Sequence, residues 1–238
     1  MALDSEKLAR IRLVCFDLDD TFWEVGPVIE RADAAVDAWL RGSYPELALH
    51  ADAATLRAAR QRLALQEPAR AHDLTWLRIE ALARIAERCG APRSVGAQAF
   101  EIFIAERNRV ELFPDVEPAL NALAPRYRLA TLSNGNADLQ RIGLASRFEF
   151  SLHAGAIGVA KPDPRAFHAV VAHGRLAPHE VLYVGDDPAH DIDGARAAGL
   201  RTAWVCRSAR PAGTAPSLAD LTVGDLRALA AALNCASR

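Results

Sequence analysis

The sequence predicts an α/β protein built on a parallel sheet, with a helical segment inserted after the first strand. Short apolar runs that end in polar residues recur along the chain, and after Asp115 they alternate with helix-like segments, as is typical of a parallel sheet. Asp17 and Ser133, each at the end of such a run, lie 116 positions apart. Because a strand–helix–strand step needs only about 30 residues, the excess predicts an insertion.

The first apolar run, Ile11 to Phe16, indicates a buried parallel strand. It is followed by Asp17, Asp19 and Thr21 at alternate positions, where side chains would face the carboxyl edge of the sheet. Two close carboxylates repel, and a divalent cation between them relieves the repulsion. Mg²⁺ suits such a site because it takes oxygen ligands and leaves positions for water and phosphate. The alternative is that these acids cap a turn or helix.

The insertion is predicted to be an α-helical cap over residues 24–109, and Ser94 is placed to cap its last helix. Its helix-like segments are 28–41, 53–65, 74–89 and 95–110. Residues 1–23 and 110–238 are predicted to form a Rossmann-like core. The later elements of this core are helix 116–123, strand 127–132, helix 137–142, strand 148–152, helix 164–173, strand 181–184, helix 188–198, strand 202–206, a loop at 207–216, edge strand 221–223 and helix 225–233.

Two later segments carry groups that suit a phosphate. Ser133 and Asn134 end an apolar run, where a hydroxyl and the following amides can bond a phosphate oxygen, although Ser-Asn-Gly is also ordinary turn chemistry. Lys161 is the only lysine after Lys7, and a compact ammonium serves as a point charge for phosphate. A solvated loop lysine is the alternative.

A third strand end adds further acids. The run 181–184 is followed by Asp186, Asp187 and Asp191, which are hard oxygen ligands. Asp187 also precedes Pro188 at the start of a predicted helix, so an N-cap is an alternative role that can coexist with metal binding.

Taken in order, these segments resemble the haloacid dehalogenase superfamily of phosphohydrolases: Asp17-x-Asp19-x-Thr21, then Ser133, then Lys161, then Gly185-Asp186 with Asp191. The resemblance implies Mg²⁺-dependent hydrolysis of small phosphomonoesters through an aspartyl-phosphate. Asp17 would be the nucleophile and Asp19 the general acid and base.

The same resemblance implies the ligands. Mg²⁺ would lie between Asp17, Asp186 and the backbone carbonyl of Asp19, with Asp187 or Asp191 supporting it. Four residues would serve the phosphoryl group and its loop: Thr21, Ser133, Asn134 and Lys161.

A narrower resemblance concerns the substrate. Segments around 16–23, 27–31, 72–78, 133–136 and 185–188 are similar to bacterial phosphatases of the riboflavin pathway, which act on flavin mononucleotide or 5-amino-6-(5-phosphoribitylamino)uracil. In the cap region, Trp23, His72, Trp76 and Arg78 are candidates for substrate contact, with packing as the competing role for each. A phosphomutase, a dehalogenase of the same fold and a non-enzymatic phospho-acceptor module are the alternative functions.

Composition narrows the class of partner. The net charge is −2 and no Lys/Arg block occurs, which gives no support to nucleic-acid or membrane-surface binding. No apolar run approaches the length of a membrane span. The four cysteines lack close pairs, which predicts reduced thiols and a cytoplasmic location. The expected partner is a small phosphorylated metabolite.

Overall fold

The computed structural model describes residues 8–207 and 218–235, so most of the predicted loop at 207–216 lies outside the described residues. Its strands are β1 (Leu13–Phe16), β2 (Arg128–Ser133), β3 (Phe150–His153), β4 (Val181–Gly185), β5 (Arg201–Val205) and β6 (Leu221–Val223). They form one parallel sheet in the order β3-β2-β1-β4-β5-β6. This confirms the predicted α/β fold.

Strand β1 lies in the middle of the sheet, between β2 and β4. All of its residues are fully buried, which is why its sequence is continuously apolar rather than alternating. The chain passes from β1 to β2 and β3 on one side and then crosses to β4 on the other. The carboxyl ends of β1 and β4 therefore border a topological switch point, where open α/β sheets bind ligands.

The helices are, in chain order, α1 (Val25–Ser43), α2 (Pro45–Ala48), α3 (Ala53–Gln66), α4 (Leu74–Arg88), α5 (Val95–Arg107), α6 (Val116–Leu123), α7 (Leu139–Ile142), α8 (Ala154–Ile157), α9 (Pro164–Gly174), α10 (Gly194–Ala197) and α11 (Leu226–Cys235). Among the described residues, no helix combines the length and the apolar character needed to cross a bilayer.

The predicted helix 188–198 is present as one helical run over 188–197, but it is not α-helical throughout. A π-helical turn covers Pro188–Asp193, and α10 follows it. The amides of both Asp191 and Ile192 reach back to the carbonyl of Asp187, at 2.9 and 3.4 Å, which widens the turn. The widened turn accompanies an Asp191 side chain that is almost completely buried.

The described chain separates into two compact units. The first contains the sheet and draws on the ranges Met1–Glu24, Glu111–Gly135 and Gly143–Arg238, while the second draws on Val25–Val110 and Asn136–Ile142. The second unit is helical and also takes in α7, which the sequence had assigned to the core. The limits of the cap at residues 24 and 109 stay a prediction.

The helical unit has its own apolar core, contributed by α1, α4 and α5. Asp52 and Asp73 begin α3 and α4, because their carboxylates accept hydrogen bonds from the amides of Thr55 (2.7 Å) and Trp76 (2.9 Å). The predicted side-chain cap by Ser94 is wrong, since its hydroxyl makes no capping hydrogen bond to α5.

Candidate active site

An open cavity of about 520 Å³, mouth included, lies in the sheet unit at the carboxyl ends of β1, β2 and β4. Eleven residues line it, from four stretches of chain: 17–20, 133–135, 161 and 186–191. They include every predicted site residue except Thr21: Asp17, Asp19, Asp20, Ser133, Asn134, Lys161, Asp186, Asp187, His190 and Asp191, with the backbone of Gly135 beside them.

Lys161 is at the centre of this cavity rather than in a solvated loop, with only 5% of its surface exposed. Its Nζ donates to Asp17 Oδ1 at 2.6 Å, Asp191 Oδ1 at 2.7 Å and Tyr183 Oη at 2.9 Å. These are the three donors that an ammonium has. Lys161 therefore compensates two buried carboxylates and fixes their positions.

Burial is the main influence on the pKa of Asp17. Burial raises the pKa of Asp17, with the Lys161 ammonium opposing it and the Asp191 carboxylate adding to it, and the net direction is upward. Burial alone would lower the pKa of Lys161, but the carboxylates of Asp17 and Asp191 outweigh it and raise that pKa. The lysine accordingly stays protonated beside acids that it does not fully neutralise.

Asp186 is the third acid of the group. Burial and the carboxylates of Asp191 and Asp20 raise the pKa of Asp186 to about 7. The hydroxyl of Thr21 donates to Asp186 Oδ1 at 3.2 Å, and the indole of Trp204 donates to the Asp186 carbonyl at 2.8 Å. Thr21 is fully buried and turned toward Asp186, and its predicted role at the phosphoryl group stays a prediction.

Carboxylate oxygens of Asp17, Asp186 and Asp191 lie within 4.8 Å of one another. Three acids and one lysine leave an uncompensated negative charge, and hard oxygens at this spacing fit Mg²⁺. The predicted set named Asp17, Asp186 and, through its backbone carbonyl, Asp19. The Asp19 carboxylate accepts a hydrogen bond at 2.8 Å from the indole of Trp23.

The sequence left open whether Asp187 or Asp191 supports the metal, and these two acids have different surroundings. Asp191 Oδ2 accepts from the Asp187 amide at 3.0 Å and Asp191 Oδ1 from Lys161, so this side chain belongs to the acidic group. The Asp187 carboxylate caps the π-turn through the amides of Ala189 (2.8 Å) and His190 (2.9 Å). Asp187 therefore both caps the π-helical turn and lines the cavity.

The loop after β1 is tightly folded around Asp19. Asp20 has a left-handed backbone (φ 59°), and its amide donates to the carbonyl of Trp23 at 2.8 Å. The Trp23 side chain is buried and packs edge-on against Phe22. Of the two predicted roles of Trp23, substrate contact and packing, the structure shows packing, and its indole also holds Asp19.

Ser133 and Asn134, at the end of β2, have different hydrogen-bond partners. Ser133 is buried, and its Oγ accepts from the Gly135 amide at 2.9 Å, at the wall of the cavity. Asn134 uses both ends of its amide on the backbone of Lys161: Oδ1 accepts from its N–H at 2.8 Å, and Nδ2 donates to its carbonyl at 3.0 Å. The Asn134 side chain thus positions Lys161.

Sequence reasoning missed Tyr183 and the reason for Gly185. Tyr183 lies in β4, and besides meeting Lys161 its hydroxyl donates to the Leu132 carbonyl at 2.8 Å. A tyrosine inside a fully buried parallel strand was the available signal, because its hydroxyl needs a partner. A Cβ at Gly185 would lie 2.2 Å from Asp191 Oδ2, so only glycine permits the inward position of Asp191.

The other substrate-contact candidates lie in the helical unit, where Trp76 and Arg78 have side-chain partners. Trp76 packs on a small apolar cluster with the guanidinium of Arg70 5.0 Å from its ring centre. Arg78 pairs with Asp33 at 2.8 Å. His72 is half-buried.

Comparison with known proteins identifies relatives along nearly the whole chain. Phosphoserine phosphatase of Thermus thermophilus is 36% identical, over 91% of this chain and 97% of that protein. The 5-amino-6-(5-phospho-D-ribitylamino)uracil phosphatase of Escherichia coli is 31% identical, over 83% and 84%. Among solved structures, a 2-haloacid dehalogenase from Pseudomonas syringae pv. tomato is 35% identical with a TM-score of 0.88, over 94% of this chain and 99% of that one.

The family model for haloacid dehalogenase-like hydrolases matches residues 11–199, which include β1 to β4 and every acid of the cavity. The motif order, the sheet and the relatives agree with that match. The chain belongs to the haloacid dehalogenase-like hydrolase family.

Proposed function

We propose that this hydrolase cleaves small phosphomonoesters through a phosphorylated Asp17. The observation that carries the proposal is the placement of Asp17 at the end of β1, held by Lys161 at 2.6 Å and opposite Asp186 in one cavity. The two phosphatase relatives support the reaction class.

In the first half-reaction, a carboxylate oxygen of Asp17 attacks phosphorus and the bond to the ester oxygen breaks. Asp19 gives its proton to that leaving oxygen. The indole N–H of Trp23 donates to Asp19 Oδ1 at 2.8 Å and so helps to orient this acid for proton transfer.

In the second half-reaction, water attacks the phosphorus of the acyl phosphate and Asp19 takes the proton that it gives up. Phosphate leaves and the Asp17 carboxylate is restored. The covalent intermediate divides one difficult displacement into two easier ones.

Charge on the transferring group is met by Lys161, by Ser133 and by amides of the loop after β2. Asp17, Asp186 and Asp191 would hold Mg²⁺ directly or through water, with the Asp19 carbonyl as a further ligand. The ion would supply positive charge next to the phosphoryl oxygens.

A dehalogenase is the second candidate, because the solved structure at 35% identity carries that name. Displacing a halide needs a nucleophilic carboxylate, but it needs neither a proton for the leaving group nor acids for a metal. The oriented Asp19 and the acidic group around Asp186 therefore favour phosphate ester hydrolysis.

The test measures phosphate release from p-nitrophenyl phosphate and chloride release from 2-chloropropionate, each with Mg²⁺ and with excess chelator. We expect metal-dependent phosphate release, lost by roughly a thousandfold in Asp17→Asn. Asp225→Asn makes the same change at the start of α11 and serves as the control. Chloride release without phosphate release would replace the proposal with the dehalogenase.

For the substrate, we propose a soluble metabolite, with the ribityl-uracil phosphate, flavin mononucleotide and O-phosphoserine as the first compounds to compare. The first two follow from the motif resemblance and the third from the relative in T. thermophilus. A kcat/KM at least about tenfold higher for one of them would identify the preferred class. The cytoplasm, predicted from the scattered cysteines, is the proposed compartment.

A further inference from the structure

We propose that Arg207 is a positioning residue of the reaction, because it holds the loop that carries Asp19. The inference rests on the proposed phosphatase chemistry. Arg207 lies two residues after the end of β5, in the sheet unit, and its side chain is 18% exposed. It does not line the cavity, so it can act on the reaction only through the residues that it holds.

The loop after β1 is held from outside at two adjacent carbonyls. The guanidinium of Arg207 donates from Nη2 to the Thr21 carbonyl at 2.6 Å. The Phe113 amide donates to the Phe22 carbonyl at 2.8 Å. The amides of Thr21 and Phe22 are used within the loop, since both donate to the Leu18 carbonyl, at 3.2 and 2.7 Å. The loop is thus closed by its own amides and attached to the rest of the sheet unit by these carbonyls.

The guanidinium of Arg207 is itself fixed. Its Nη1 and Nη2 donate to the two carboxylate oxygens of Asp115 at 2.9 and 3.0 Å, which is the bidentate geometry of a strong arginine pair. Its Cζ lies 3.9 Å from the centre of the Phe113 ring. Asp115 also accepts from the Leu226 amide at 2.7 Å, at the start of α11. The hydrogen bond to Thr21 therefore comes from a group that has little freedom to move.

The positive charge of Arg207 is compensated by Asp115, which is 5% exposed. Burial raises the pKa of the Asp115 carboxyl, but hydrogen bonds from the Arg207 guanidinium and the Leu226 amide outweigh burial, and the pKa lies below its ordinary value. Asp115 is accordingly ionised at neutral pH. A pair of opposite charges holds the loop without adding net charge beside the acids of the cavity.

Two groups of the proposed chemistry depend on the position of this loop. Asp19 belongs to the loop, and its carboxylate is oriented by the indole of Trp23, which belongs to it as well. The hydroxyl of Thr21 donates to Asp186 Oδ1 at 3.2 Å. A shift of the Thr21 backbone would therefore displace the acid–base group and disturb one acid of the proposed metal set.

The test compares Arg207→Ala with Arg128→Ala, the matched control. Arg128 begins β2, at the end of the strands opposite the cavity, and its guanidinium likewise pairs with a carboxylate, that of Glu149 at 2.6 Å, and with a backbone carbonyl, that of Gly174 at 2.8 Å. We expect kcat for p-nitrophenyl phosphate to fall about tenfold in Arg207→Ala and to stay within about twofold of wild type in Arg128→Ala.

The leaving group separates positioning from stability. A smaller folded fraction lowers the rates of all esters equally, whereas a displaced Asp19 penalises the ester whose leaving oxygen most needs a proton. Phenyl phosphate should therefore lose about tenfold more kcat in Arg207→Ala than p-nitrophenyl phosphate does.

A second variant covers the case in which Arg207→Ala does not fold because it leaves the Asp115 carboxylate buried and unpaired. Arg207→Ala combined with Asp115→Asn removes both charges and should show the same dependence on the leaving group. Hydrogen exchange of this double variant needs no turnover. Amides of residues 18–23 should exchange about tenfold faster than in wild type, while those of β3 keep the wild-type rate.

Three results would overturn the role of Arg207: equal loss of kcat for both esters, equal loss in Arg207→Ala and Arg128→Ala, or unchanged exchange of the loop amides. Failure of the proposed function has a different signature, which is absence of phosphate release from the wild-type protein. Hydrogen exchange would then still show whether Arg207 holds the loop.

Discussion

The side-chain amide of Asn134 brackets the backbone of Lys161, accepting from its N–H at 2.8 Å and donating to its carbonyl at 3.0 Å. This pair connects the end of β2 to the loop that carries the only buried ammonium of the cavity. The position of Lys161 against Asp17 therefore depends on a residue that ends a different strand.

Asn134→Ala is expected to lower kcat for p-nitrophenyl phosphate by about tenfold to a hundredfold, because a small misplacement of Lys161 weakens charge stabilisation in the transition state. Steady-state kinetics with a melting curve would measure it. Loss of stability with unchanged kcat in the folded fraction would restrict Asn134 to a structural role.

Trp23→Phe is expected to act through Asp19. The ring keeps most of its packing, but the 2.8 Å hydrogen bond to Asp19 Oδ1 is lost, so the acid is less well oriented. Esters with poor leaving groups need protonation most and should lose about tenfold more kcat/KM than p-nitrophenyl phosphate. A series of phenyl phosphates with varied leaving-group pKa measures this, and an equal loss across the series would contradict it.

Gly185→Ala is expected to destabilise the fold by about 1–3 kcal/mol, since the new methyl would lie 2.2 Å from Asp191 Oδ2 and push that carboxylate away from Lys161. Gly26→Ala is the matched control: it lies in α1 with no atom within 4 Å of the new methyl, and alanine favours a helix. Chemical denaturation measures the unfolding free energy of both variants. Equal stability of the two would mean that Asp191 relocates without cost.

Tyr183→Phe removes the hydroxyl that accepts from Lys161 and donates to the Leu132 carbonyl. We expect a loss of about 1–3 kcal/mol in unfolding free energy, because two buried partners are left unsatisfied. Activity should fall less than in Asp17→Asn, since Lys161 keeps both carboxylates. A variant as stable as wild type would show that water replaces the hydroxyl.

Mg²⁺ is expected to stabilise the folded protein by binding the acids of the cavity. At an excess of about a hundredfold over Kd, linkage predicts about 2.7 kcal/mol, visible as a higher melting temperature. Asp186→Asn removes one charge from the group and should abolish most of that increase, whereas Asp225→Asn should keep it. An equal increase in all three proteins would place the ion elsewhere.

The sequence by itself determined the sheet and the location of the chemistry. Continuous apolar runs such as β1 predict buried parallel strands, and polar residues at their carboxyl ends must meet at one edge because parallel strands all end there. Asp17, Ser133 and Asp186 therefore share one cavity, as predicted, and Lys161, which follows α8, joins them.

Tertiary structure alone decided what each of these groups touches. Asp187 and Asp191 are both aspartates only four positions apart, so the sequence does not distinguish their roles. The widened turn decides that Asp191 joins the acidic group. The partners Trp23, Tyr183 and Asn134 reach their targets through side-chain directions that no spacing encodes. Periodicity reports which face is buried, whereas hydrogen-bond partners follow from packing between segments far apart in the chain.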